Sequence, residues 1–176
     1  TKRLALHPAR SFLQRFLMEL SMISATMGVK KLTFVVFSAA AFAMASVATQ
    51  AAETPASLAG ATVVTAEKVK DLQGKGAVVV DTRVANEYAE AHIKGAISVP
   101  YKEKSAKAPN FDPSQDSFDL SKLPSDRNAV IVMYCNGGEC WKSYKASKVA
   151  VDAGYKKIHW FRGGFPEWKS KGFPIE

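Results

Sequence analysis

Ala129-Val130-Ile131-Val132-Met133-Tyr134-Cys135 runs directly into Asn136-Gly137-Gly138-Glu139-Cys140-Trp141-Lys142-Ser143, and this stretch decides how the chain is read. A short apolar run closed by glycines reads as a strand buried on both faces. The residues that follow read as a loop leading into a helix. A cysteine at the C-terminal tip of such a strand faces loop amides and a helix N-terminus. Those dipoles favour negative charge and are expected to lower a thiol pKa. Cys135 is therefore the candidate nucleophile. Asn136, Gly137, Gly138 and Glu139 are expected to turn successive amides around it as an anion-binding nest. Cys140, Trp141 and Lys142 complete the cradle.

Working outward, Ala61 to Val64 reads as a strand. Thr65 caps a helix from Ala66 to about Leu72, with Glu67 in its first turn. Ala77 to Val80 is a second buried strand with Asp81 at its tip. Asn86 to Ala91 is a short helix, and Ala96 to Val99 a third strand closed by Pro100. Tyr101 to Arg127, with its lysines, prolines and Asp-Ser turns, is expected to hold a short helix and a long surface connection. Trp141 to Asp152 is a helix stopped near Gly154, Ile158 to Phe161 the last strand, and Pro166 to Lys169 a final helical turn. This alternation predicts an α/β fold with a mostly parallel central sheet and helices on both faces. Ligands of such sheets bind at the carboxyl ends of strands, where Asp81 and Cys135 both lie.

Two further stretches give the pattern a family likeness. One is Asp81-Thr82-Arg83 with Glu87-Tyr88 and His92-Ile93-Lys94-Gly95-Ala96, ending Val99-Pro100. The other is Gly154-Tyr155, then Ile158 to Arg162, Gly163-Gly164, Trp168 and Gly172-Phe173-Pro174. Together with the cysteine loop they resemble the rhodanese (sulfurtransferase) family over roughly residues 60 to 176, with Ala91 standing where the family has glycine. The resemblance implies a rhodanese-like three-layer fold. It also implies that Cys135 takes a sulfane sulfur from a small donor, thiosulfate or a persulfide, and passes it to a thiol or cyanide acceptor. No cofactor is implied. Covalent catalysis of this kind splits transfer into two steps.

The loop departs from the family form C-x-x-G-x-R-S. It is longer if Ser143 corresponds to the family serine, it carries Glu139, and it has no arginine. Lys142 is its only cation, which leaves room for a bulkier or different sulfur donor. The phosphatase branch of the fold needs an arginine to clamp phosphate, so that activity is not expected. Arg162, beside the glycine pair, is a candidate for the missing cation. Asp81 and Arg83 are expected to pair in a mainly structural role, and His92 to be a hydrogen-bonding core residue. Gly163-Gly164 and Trp168 are expected to brace the loop. His92 and His159 are too far apart to suggest a metal site.

The sequence carries 24 Lys and Arg against 16 Asp and Glu, for a net charge of +8. Residues 1–51 hold +5 of that and residues 52–176 only +3, with the lysines dispersed, so a nucleic-acid surface is not expected. Met27-Gly28-Val29-Lys30-Lys31, the apolar Leu32 to Ala48 and the small residues through Ala51 have the form of a secretory signal. Residues 27–51 are therefore expected to be removed near Ala51, leaving no stable membrane contact and a periplasmic or secreted protein. Residues 1–26 read as an upstream extension without assigned function, 52–60 as a polar linker, and 61–176 as the domain. Both cysteines, Cys135 and Cys140, lie in the loop. In an oxidising compartment Cys140 is open to three readings: a thiol that resolves a persulfide, half of a resting disulfide, or packing under Trp141. The alternative to an enzyme is a redox-responsive or sulfur-carrier module built on that pair.

Overall fold

The computed structural model describes residues 52–176; the expected upstream extension and signal segment lie outside them. Strands β1 (Ala61–Val63), β2 (Val78–Asp81), β3 (Ile97–Ser98), β4 (Val130–Tyr134) and β5 (Lys157–Phe161) form one sheet in the order β1-β5-β4-β2-β3. Every pairing is parallel. Parallel neighbours need crossovers, and helices α1 (Ala66–Gly74), α2 (Ala85–Glu90) and α3 (Trp141–Asp152) lie in the connections, while α4 (Gly164–Ser170) follows the last strand.

The period of two along the strands sorts the core into two layers. Val79, Val132, Tyr134 and Phe161 face one side and pack with Ala66 and Val69 of α1 and with Phe165 and Trp168 of α4. Val80, Ile131, Met133 and Ile158 face the other and pack with Ala146 and Ala150 of α3. Hydrophobic runs buried on both faces are what a parallel sheet demands. The alternation of strands and helices thus yields the expected three layers, with β4 central and its tip, Cys135, between them.

The segment from Tyr101 to Arg127 differs from expectation. No α-helix forms there. Single 3-10 turns at Pro113–Gln115 and Leu120–Lys122 take its place, each started by an aspartate whose side chain accepts the amide two residues on. Such local bonds compete with helix propagation. The rest is the surface connection expected, most of its residues exposed, but Tyr101, Phe111 and Leu123 anchor it in the core. It is fastened by Lys145 of α3, whose fully buried side chain lies 2.8 Å from Glu103 and 3.7 Å from Asp116. The same ammonium donates to the carbonyl and hydroxyl of Ser105. Burial opposes ionisation of Asp116, but bonds from Ser105, the Lys104 amide and Tyr101 outweigh it and hold that carboxyl below its usual range.

Removing one partner from a buried ion cluster strands the others, which typically costs about 3–5 kcal/mol. Lys145→Met is therefore expected to lower unfolding stability by that order, read from urea denaturation. A loss under about 1 kcal/mol, the range of exposed pairs, would show that water reaches the cluster.

Candidate active site

The loop after β4 is held from three sides. Beneath it, Asp81 ends β2 directly beside Tyr134, the last residue of β4. The Asp81 carboxylate is fully buried and accepts the Arg83 amide at 2.9 Å, the Arg83 guanidinium at 2.6 Å and the Tyr134 hydroxyl at 2.6 Å. Arg83 also donates to the Ala91 carbonyl at 2.7 Å and lies over the Phe165 ring, 4.2 Å from its centroid. The Ile93 amide donates to the Tyr134 oxygen at 3.2 Å. Burial and the Asp81 charge push the Tyr134 phenol well up, so it stays a donor. A buried carboxylate is tolerable only when paired in this way. The expected structural pairing of Asp81 with Arg83 is present, and it reaches the loop through Tyr134.

The second support is the turn between β5 and α4. The Phe165 amide donates to the Cys135 carbonyl at 2.8 Å. Gly164 has φ +61, and a Cβ there would collide with that same carbonyl and come within 2.7 Å of the Gly137 amide nitrogen. Only glycine satisfies both the backbone and the space. Gly137, at φ +102, makes the matching turn inside the loop. Trp168, expected as bracing, is buried in the layer behind, its indole donating to the Pro174 carbonyl.

The third support comes from residues read in sequence as a linker. The Thr54 amide and hydroxyl both donate to the Gly138 carbonyl, at 2.8 and 2.7 Å. The Trp141 indole donates to the Ala52 carbonyl at 2.7 Å, and Leu58 packs with Phe111, Trp141, Tyr144 and Trp160. Arg162 lies against Gly138 but donates to Glu53 at 3.0 Å and to the Thr54 carbonyl at 2.9 Å. Its charge is matched by that strap rather than offered to a ligand. His92 meets its expectation as a hydrogen-bonding residue: Nδ1 lies 2.8 Å from the Tyr88 carbonyl and the ring stacks on Tyr88.

Inside this frame the two sulfurs occupy unlike environments. Cys135 is 0% exposed, whereas Cys140, which opens α3, is half-buried; both are free thiols. The Cys135 sulfur lies 3.1 Å from the Cys140 carbonyl and 3.0 Å from the Ser143 hydroxyl. A carbonyl only accepts, so the one Cys135 S–H is shared in turn between that carbonyl and the Cys140 sulfur beside it. The Ser143 oxygen accepts the Trp160 indole at 3.0 Å, which leaves its own proton for Cys135.

The expected drop in the Cys135 pKa is not found. Burial and its hydrogen bond to Cys140 push that thiol well up, against weaker help from Ser143. The Cys140 thiol is instead lowered to about 6 by the hydrogen bond from Cys135, then, against burial, by the Asn136 and Lys142 amides and the Lys142 charge. The physical reason is how the loop turns. Amides expected to converge on Cys135 are divided between two sulfurs, and the deeper one receives the carbonyl. Glu139 is exposed, and the Asn136 side chain is tied to Glu87 on α2.

Sequence reasoning passed over Ser143 as a direct partner of the sulfur, and over Glu53, Thr54 and Glu87. Ser143 was legible as a hydroxyl in the first turn of α3, facing back to the strand. Nothing in the local sequence marks Thr54. Among the described residues no group of three or more His, Cys, Asp or Glu is arranged to hold a metal.

Two outcomes follow from this geometry. Gly164→Ala is expected to cost about 1–3 kcal/mol from steric conflict alone and to expose Cys135 to alkylation. Unchanged stability and thiol reactivity would refute the lock. A lowered thiol pKa leaves thiolate present at neutral pH and lost as pH falls through the folded value. Iodoacetamide labelling of Cys140 is therefore expected to rise through a midpoint near pH 6, while Cys135 stays unlabelled at neutral pH. Mass spectrometry of the labelled peptides separates the two.

The family model described as Rhodanese-like domain matches residues 65–171. A sulfurtransferase from Allochromatium vinosum is 31% identical over 98 residues, covering 56% of this chain and 77% of that protein. The chloroplastic thiosulfate sulfurtransferase 16 of Arabidopsis thaliana is 27% identical over 106 residues, covering 60% and 85%. An HTH-type transcriptional regulator from Mycobacterium tuberculosis is 31% identical over 111 residues, covering 63% of this chain but only 42% of the regulator. The parallel sheet, the cysteine at the tip of its central strand and the family match over 65–171 agree, and the chain belongs to the rhodanese-like domain family, whose matched relatives include sulfurtransferases.

Proposed function

We propose that this protein is a sulfurtransferase that moves a sulfane sulfur from a small donor to a thiol or cyanide acceptor, holding it in transit as a persulfide on Cys135. The observation that carries the reading is the setting of the Cys135 sulfur. It stands at the tip of β4, fixed by the Phe165 amide on its own carbonyl and met by the hydroxyl of Ser143. A persulfide formed there is held by a donor and screened from water, which preserves it until an acceptor arrives. The sulfurtransferase names of the relatives support the same chemistry.

The charges around the loop bear on the donor. Arg162 is paired with Glu53 and Arg83 with Asp81, so neither of these two guanidiniums beside the loop is free to clamp a dianion. A persulfide, with less charge than thiosulfate, suits the loop better. A second reading, a redox-responsive or sulfur-carrier module without turnover, draws on the contact between the two thiols. Repeated turnover of donor and acceptor distinguishes it from the enzyme.

Cys135→Ser is expected to remove turnover entirely while leaving the circular dichroism unchanged, because serine is nearly isosteric but a far weaker sulfur nucleophile. Full turnover by that variant ends the proposal. The location of the protein belongs to the same reading: residues 27–51 act as an export signal, and the stable form begins near Ala52 in the periplasm or outside the cell. N-terminal sequencing of the protein recovered from cells is expected to start there; a stable form starting at Thr1 or Met27 would contradict it.

A further inference from the structure

We infer that Cys140 is the first sulfur to meet the donor and that it hands the sulfane sulfur inward to Cys135, so that the loop is a two-station relay. The inference rests on the sulfurtransferase reading above and adds the order of events within that site. Three observations carry it. Cys135 has no exposed surface, and its sulfur is closed in by the Cys140 carbonyl and the Ser143 hydroxyl, with the Trp160 indole behind. Cys140 is the accessible member, partly exposed at the N-terminal cap of the twelve-residue helix α3. The Cys135 sulfur lies 3.1 Å from the Cys140 carbonyl, so the two cysteines meet across one turn of the loop. A donor arriving from solvent therefore meets Cys140 before Cys135, and it meets a thiolate rather than a thiol.

The chemistry balances without an added oxidant or reductant. The Cys140 thiolate attacks the sulfane sulfur of the donor; the new bond is Cys140 S–S, and the donor departs as a thiolate, or as sulfite from thiosulfate. The Cys135 proton then moves to the terminal sulfur of the Cys140 persulfide. The Cys135 thiolate so formed attacks that terminal sulfur, the Cys140 S–S bond breaks, and Cys140 leaves as the thiolate it began as. Cys135 now carries the persulfide in the closed pocket. Attack on the inner sulfur would instead give a Cys135–Cys140 disulfide and release sulfide. The departing group in the transfer step is the better-stabilised of the two thiolates, which favours sulfur moving inward.

The order is readable directly. The wild-type protein, fully reduced and free of oxygen, is mixed with one equivalent of glutathione persulfide, quenched with an alkylating agent at increasing times, and mapped by peptide mass. Sulfur is expected first on Cys140 and later on Cys135. Cys135→Ser is expected to load Cys140 and retain the sulfur there. Cys140→Ser and Cys140→Ala are both expected to load Cys135 more than about tenfold more slowly than wild type, since the buried thiol must then attack for itself. Sulfur on Cys135 at the earliest time, or loading of both Cys140 variants at the wild-type rate, overturns the relay while leaving the persulfide enzyme intact. Failure of the wild-type protein to take up sulfur at all overturns the sulfurtransferase reading, and the relay with it.

Discussion

A single carboxylate, Asp81, is buried where three elements meet, and the surroundings of the active loop follow from neutralising it. An unpaired charge at that depth would be expelled or protonated. Arg83 supplies the counter-charge, and reaching it obliges the chain after β2 to turn back on itself. The guanidinium then spans to the end of α2 and under Phe165, while Tyr134 bonds the carboxylate from β4. A buried ion pair of this kind is weak evidence for stability, because apolar replacements often serve as well. Its value here is positional. It fixes the residue immediately before Cys135, and it links that residue to the Phe165 turn from which the loop is held.

The two cysteines illustrate how little sequence distance is needed to separate two chemistries. They share one loop and one helix terminus, yet one faces a carbonyl in a closed pocket and the other is partly exposed at the rim. Helix dipoles and loop amides do stabilise thiolate, as the sequence suggests, but they act on the sulfur they point to. In this loop that sulfur is Cys140. The absence of a loop arginine fits the same picture, since a relay between sulfurs needs no clamp for an oxyanion.

Much of the architecture was legible because it depends on local pattern. The doubly buried runs at Val78–Asp81 and Val130–Tyr134, the Thr65 cap and the glycine stop after α3 all follow from residue type and spacing. The stretch from Tyr101 to Arg127 was legible as a surface connection, but its aspartates and prolines say only that no long helix forms, not where it is anchored. Its anchor is Lys145, distant in sequence and in a helix where a lysine reads as solvent-facing. The place of Cys135 at the tip of β4 was legible from position alone. The partition of charge between the sulfurs was not, because a single turn of backbone decides which amides face which atom. Arg162 was singled out as a free cation for the same reason: nothing near it in sequence reveals Glu53 and Thr54.

The contact between Gly164 and the Cys135 carbonyl has a consequence for how this scaffold can change. Two loops far apart in the chain are machined to one another with no room for a methyl group, so neither can be exchanged alone. A foreign cysteine loop grafted after β4 would have to present its first carbonyl to the same amide and its third residue beside the same glycine. The smallest transplantable unit is therefore not the loop itself but the loop together with Gly163 to Phe165 and the Ala52 to Thr54 strap. Diversification of the chemistry in this scaffold is confined to the far side of the loop, from Glu139 to Lys142, where the backbone is free of that constraint.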